Sequence, residues 1–221
     1  MVALDTHPYR VADYSLTVRN PHHPTRERLI EVVVDLLAVK SPEDISVDEV
    51  LHASGISKGS LYHHFVDFSD LIDVALARQF AHYVDVNIDQ LAALTTQVTT
   101  LDEFWAGIAA MSVQTQSPEN RPNRYARLQV VARAARNEGF RQLLSEEQTR
   151  LTEALTDLFR EGQIRGWLAK DFDPKAAAIL IQAYTLGRSL DDVTDEPVDP
   201  QKWTDLIVRL VRRTFEVDDL N

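Results

Sequence analysis

The stretch SGISKGSLYHHF, Ser54 to Phe65, holds the side chains with the clearest chemistry in this chain. Seventeen residues, Val50 to Val66, pass without a carboxylate in a protein of 221 residues and formal net charge −11. That window carries Lys58 with His52, His63 and His64, and Glu49 and Asp67 close it off. Such a surface suits contact with negative charge; metal ligation by the adjacent pair His63 and His64 is not expected. The acidic balance argues against holding a polyanion by bulk electrostatics. A local contact surface remains open to the chain, because phosphate attraction acts over about one Debye length, ~8–10 Å in ordinary salt.

Other constellations carry less. Gly55-Ile56-Ser57-Lys58-Gly59 spells G-x-S-x-G, a nucleophile elbow that needs a buried strand before it and a helix after it. Here VLHAS, the end of a helix, precedes it, and His82 is the last histidine in the chain. No Walker sequence, dinucleotide fingerprint or H-E-x-x-H occurs. Asp191-Asp192 and Asp195-Glu196 stand in a Pro-bearing connection and read as a solvated loop rather than catalytic carboxylates. Arg121, Arg124, Arg127, Arg133 and Arg136 line one helical segment, and an arginine inside a pocket there would bind a carboxylate ligand. The chain reads as no enzyme, with no catalytic residue, metal or cofactor. Without cysteine it has no disulfide and no thiolate metal site. MVALDTHPYR shows no secretory signal, and charge interrupts the apolar stretches before they reach bilayer length, so the expected place is the cytoplasm.

The elements that must position the Ser54–Phe65 residues are all helical. Residues 1–24 are polar, carry three prolines and read as an N-terminal arm. From Thr25, expected as an N-cap, Leu29, Val33, Leu36 and Leu37 recur at helical steps. Ser46 and Glu49 have capping-box spacing, Gly55 sits where a helix ends in a left-handed residue, and Ser57 caps a second short helix carrying Leu61 and Phe65. Two short helices about a three-residue turn make a helix-turn-helix. Further helical patterns run over about 68–94, around Phe104 to Met111, and over 123–137, 140–162, 175–190 and 201–217. No alternating strand pattern and no repeat interrupt them. The fold class is all-α: arm 1–24, helix-turn-helix domain 25–70 (motif 46–65), and a larger helical domain 71–221.

Gly55 to Phe65 matches the order G-[IV]-S-K-G-[ST]-[LI]-Y-x-[HY]-F at every position, after SVDEVLHAS and before Leu71. In this the chain resembles the TetR family of bacterial transcription regulators. The resemblance implies that Ser57–His64 enters the major groove of operator DNA, where an α-helix fits and base edges are distinguishable. Lys58 and the helix N-terminal amides would meet phosphate or a guanine edge, and Gly59 would allow close approach. Ser60 and His63 would read bases, while Tyr62, His64 and Ser46 would donate to phosphate. Two departures matter. The lysine common three residues after the phenylalanine is Phe68 here, between Asp67 and Asp70, and the usual glycine after the first helix is Ser41. From Met1 to Leu71 six basic residues stand against eleven acidic ones. Two readings of the arm stay open: Arg10, Arg19, His22 and His23 would supply part of the lost contact through the minor groove, or the arm is inert. The alternative is a helix-turn-helix-derived protein that has left DNA and acts through protein partners.

The resemblance also implies a small-molecule cavity in the larger domain and a dimer made by its last two helices. Expected cavity residues are Phe104, Trp105, Ile108, Met111, Tyr125, Gln129 and Tyr184, suiting an apolar or amphipathic effector. Expected dimer residues are Leu180, Ile181, Tyr184, Trp203, Ile207, Leu210 and Val211. A homodimer places two recognition helices about 34–36 Å apart on a near-palindrome. Effector binding would release the operator by favouring a differently spaced dimer, which makes the chain a repressor in this reading.

Overall fold

Nine α-helices and no strand run through residues 23–217, the part of the chain that this computed structural model describes. The calls on Arg10, Arg19 and His22 lie outside the described residues. The described helices form two compact units, one reaching to Gln79 and taking in Gly139–Glu146, the other made of Phe80–Glu138 and the chain from Glu147 onward. The division therefore falls inside the long fourth helix rather than at residue 70.

In the first unit, α1 (Pro24–Leu37) starts on a proline, whose missing amide costs nothing at the first helical position. His23 rather than Thr25 caps it, its Nδ1 accepting the Thr25 amide at 3.2 Å. A 3₁₀ turn, Pro42–Asp44, leads to α2 (Val47–Ser54). Ser46 Oγ accepts the Glu49 amide at 3.2 Å, but the reciprocal half of the capping box is absent. Glu49 turns its carboxylate to the Lys40 ammonium at 2.5 Å instead, a charge-assisted bond that outcompetes a neutral amide. Gly55, at φ 71°, stops α2, its amide reaching Leu51 O at 3.0 Å. α3 (Lys58–His64) then starts on Ser57, whose Oγ accepts the Ser60 amide at 3.2 Å.

Leu29, Ile30, Val33, Val50, Leu61 and Leu71 are fully buried, and Phe65 nearly so. Each such side chain contributes roughly 1.5–3 kcal/mol of apolar burial. They fix the roll of α3 on α1, because Leu61 and Phe65 can face inward in only one phase of the helix. α4 (Phe68–Gln97) opens with two aspartates in structural roles. Asp67 Oδ1 accepts the Asp70 amide at 2.8 Å and Asp70 Oδ2 accepts the Val66 amide at 3.0 Å.

α4 runs on past Leu94 into the second unit's Thr95 and Thr96, whose hydroxyls bond back to the Leu91 and Ala92 carbonyls at 2.8 and 2.9 Å. α5 (Leu101–Gln116) has a full capping box, Thr100 with Glu103. Three bonds to Thr99 and Thr100, led by the Thr99 amide, hold the Glu103 carboxyl below its ordinary range. α6 (Arg121–Ala134) and α7 (Glu138–Ile164) follow, then α8 (Pro174–Gly187) capped by Asp173 and α9 (Pro200–Phe215) capped by Asp199. Phe159, Phe172 and Phe215 form one aromatic cluster, with centroids 4.5 to 6.1 Å apart.

Asp191 and Asp192 are not a solvated loop. They belong to a 3₁₀ stretch, Arg188–Val193, and the Asp192 carboxylate is buried against Arg124 of α6. The Arg124 Nε and Nη2 donate to its two oxygens at 2.8 Å each. Nη1 donates to the Thr115 and Ser117 carbonyls at 3.0 and 2.9 Å, so the buried guanidinium is bonded on all sides. Asp191 pairs with Arg188, while Asp195 and Glu196 are exposed.

Candidate functional site

On α3 the inward pair Leu61 and Phe65 leaves Lys58, Gly59, Tyr62 and His63 exposed and Ser60 and His64 half-buried. Of the lysines and arginines from His23 to Gln79, Arg26 and Arg78 pair with Glu27, Arg28 with Glu31 and Lys40 with Glu49. Arg26 is buried, its guanidinium 5.1 Å from the Phe65 ring centroid, and desolvation lowers its pKa. Among these Lys58 alone makes no ion pair with a described residue, and it stands at the N-terminus of α3, the one helix of the first unit without a carboxylate. A Cβ built on Gly59 would meet nothing within 4 Å, and the residue lies in ordinary helical backbone. The fold has no use for a glycine there, although glycine costs a helix about 0.5–1 kcal/mol against alanine. Gly55 differs, since its positive φ is required by the turn.

Next to this surface three imidazoles gather. His23 and His64 have centroids 4.6 Å apart, and His63 and His64 5.1 Å apart. Partial burial lowers the His64 pKa, and His23, His63 and Arg26 lower it further by repulsion. No group of three or more potential metal ligands occurs among the described residues. The carboxylates flanking the missing cation at Phe68 are the caps of α4. Each accepts a backbone amide while remaining open to solvent.

The second unit holds a cavity of about 60 Å³. Of the residues expected there, Ile108, Met111 and Tyr184 line it. Phe104, Trp105, Tyr125 and Gln129 do not. Phe104 and Trp105 are buried in an edge-to-face contact with each other, centroids 5.3 Å apart, and Phe104 also meets Trp167. Gln129 points to solvent, and Tyr125 is half-buried elsewhere on α6. Sequence reading missed the leucines of α7 (Leu151, Leu155, Leu158) and the polar Asn87 and Gln182; Tyr83, a residue the helical spacing offers as a wall, and Arg127, one of the five arginines of that segment, also line it. Arg127 Nη1 donates to Tyr83 Oη at 3.0 Å, with the guanidinium 4.9 Å from that ring's centroid. Tyr184 Oη lies 3.4 Å from Ser112 Oγ, and burial pushes its pKa up.

The residues expected at a dimer face do not share one surface. Ile207 and Val211 are buried in the unit's own core, along with Thr204 and Phe215. Ile181 and Tyr184 line the cavity, and Trp203 Nε1 donates to Gln116 Oε1 at 3.1 Å. Leu180 and Leu210 are exposed, and so are Ile179 and Leu206, each at least 42%.

The comparisons agree with this architecture. Residues 108–216 match the family described as "BetI-type transcriptional repressor, C-terminal". The chain is 23% identical over 177 residues to the HTH-type transcriptional regulator UidR of Escherichia coli K12, covering 74% of this chain and 79% of that one. A TetR-family regulator from Mesorhizobium loti superposes with TM-score 0.66 at 15% identity, covering 87% of this chain and 97% of that chain. A transcriptional regulator from Saccharomonospora viridis, solved in complex with choline, superposes with TM-score 0.64 at 18% identity over 87% and 97% of the two chains. No described helix is long and apolar enough to cross a membrane. With the helix-turn-helix of α2 and α3, the all-helical second unit and this family match, the chain belongs to the TetR family of transcriptional regulators.

Proposed function

We propose that the chain is a cytoplasmic, homodimeric repressor that holds a near-palindromic operator through α3 and releases it when a small molecule occupies the cavity of the second unit. One observation carries the DNA reading. α3 presents a lysine with no ion pair among the described residues, a glycine the fold does not need and exposed Tyr62 and His63, with no carboxylate between Glu49 and Asp67. Ser57, Lys58 and the first amides of α3 approach phosphate, Ser60 and His63 read base edges, and Tyr62, His64 and Ser46 add backbone contacts. Phosphate contacts set the position and base contacts the sequence. Ile179, Leu180, Leu206 and Leu210 form the apolar face that a second copy covers. No catalytic step is part of this reading.

A gel shift tests it with DNA from upstream of the protein's own gene. Wild-type protein shifts the fragment. The double variant Lys58→Ala with Tyr62→Phe loses the shift while keeping its dimer and melting temperature, because both residues are exposed and neither side chain is bonded to another described residue. Binding by the double variant equal to wild type would place the DNA surface elsewhere. Failure of wild type on all genomic fragments would favour the protein-partner alternative.

A further inference from the structure

Arg124 and Arg127 stand one turn apart on α6, both nine-tenths or more buried, and they have been treated differently by the fold. Arg124 has the Asp192 carboxylate and two carbonyls. Arg127 has one phenol oxygen and one ring face, both from Tyr83, and makes no ion pair among the described residues. It lines the cavity, and no residue of the cavity wall is acidic. A buried cation without a counter-charge is costly, several kcal/mol even after relaxation, unless something in the cavity supplies the opposite sign.

We infer that the cavity takes a small organic carboxylate, its headgroup on the Arg127 guanidinium beside Tyr83 Oη and its apolar body among the leucines of α7. The inference rests on reading this cavity as the effector site. Carboxylate fits for three reasons. The guanidinium fork matches a planar two-oxygen acceptor. A single cation in an otherwise apolar wall balances one negative charge, so a phosphate dianion would remain half uncompensated. The wall beyond Arg127 is mainly aliphatic and aromatic: Leu91, Leu151, Leu155, Leu158 and Phe159. Size narrows the class further. The free space is about 60 Å³, well under the ~150 Å³ that holds a benzene ring, so a short-chain acid enters with the least opening of the helices. A quaternary ammonium such as choline meets Arg127 without any carboxylate to hold it.

The test is thermal denaturation and calorimetric titration of the full chain with four probes: propanoate, propanamide, choline and inorganic phosphate. Propanoate at saturating concentration raises the melting temperature by a few degrees; the isosteric amide, choline and phosphate leave it in place. Arg127→Gln removes the propanoate response, and Gln129→Ala, on the solvent face of the same helix, retains it. If Arg127→Gln fails to fold, the acid-against-amide difference in wild type still decides. Equal effects of acid and amide, a response to choline or phosphate, or no response to propanoate would each overturn the inference. Gel shifts run beside the titration separate the two readings. Operator binding without propanoate binding sinks the carboxylate site alone. Propanoate binding by a protein that shifts no DNA leaves the site and sinks the regulator.

Discussion

Lys58 in the first unit and Arg127 in the second are both cations without a carboxylate partner among the described residues, and their surroundings make them opposite devices. Lys58 is exposed, so water solvates it at little cost and its open state says only that the surface is kept ready for an anion. Arg127 is 7% exposed, so its missing counter-charge is an energetic deficit that the fold carries all the time. The first arrangement suits a large polyanion held by many weak contacts, where each phosphate contact adds a little affinity and much salt dependence. The second suits one small anion held by one strong, water-excluded contact. Charge alone does not separate the two; burial does.

The sharpest way to break this comparison is to turn Arg124 into a second Arg127. Asp192→Ala leaves the Arg124 guanidinium buried with only two carbonyls, and breaking a buried pair by removing one partner costs roughly 3–5 kcal/mol. The expected result is a fall in denaturation midpoint large enough to unfold much of the chain near body temperature. A loss below about 1 kcal/mol, the size of a surface pair, would mean that an unpaired buried arginine is tolerated here. The deficit assigned to Arg127 would then go with it.

A smaller effect concerns the imidazoles beside α3. The His64 pKa is lowered, chiefly by desolvation and then by His23, His63 and Arg26. The unfolded chain therefore binds more protons below the ordinary value of 6.5, and stability falls as pH drops through that value toward the folded-state pKa. Phosphate at His64 would favour the protonated ring. Operator affinity is accordingly expected to rise severalfold between about pH 7.5 and about pH 6 while the melting temperature falls. His64→Gln removes the rise in affinity. If affinity and stability fall together in wild type, His64 is not a phosphate contact.

What the sequence disclosed followed from how local each feature is. Ser46, Gly55, Ser57, Leu61 and Phe65 act within a turn or two of themselves, and the structure puts them in a helix-turn-helix with those caps and that buried pair. Asp67 and Asp70 have the spacing of a helix start, yet their carboxylates read as bare charge because a missing lysine drew the eye to them. α9 was harder. Its apolar residues lie on several sides, and whether Ile207 or Leu206 faces the core depends on α5, distant in sequence. Arg127 was visible only as one arginine among five. Which of them turns into a cavity is set by the phase of α6, and which finds a carboxylate depends on Asp192, 68 residues away from Arg124.

The claim that α3 is shaped for DNA rather than for its own fold meets its most direct test at Gly59. With open space around the missing side chain, Gly59→Ala should stabilise the protein by about 0.5–1 kcal/mol through helix propensity. In the proposed DNA reading the added methyl group would stand where the operator backbone approaches, so operator affinity measured by fluorescence anisotropy should fall about tenfold or more. A variant that is more stable and binds less tightly is the predicted result. A variant that gains stability and binds the operator as tightly as wild type would contradict the account.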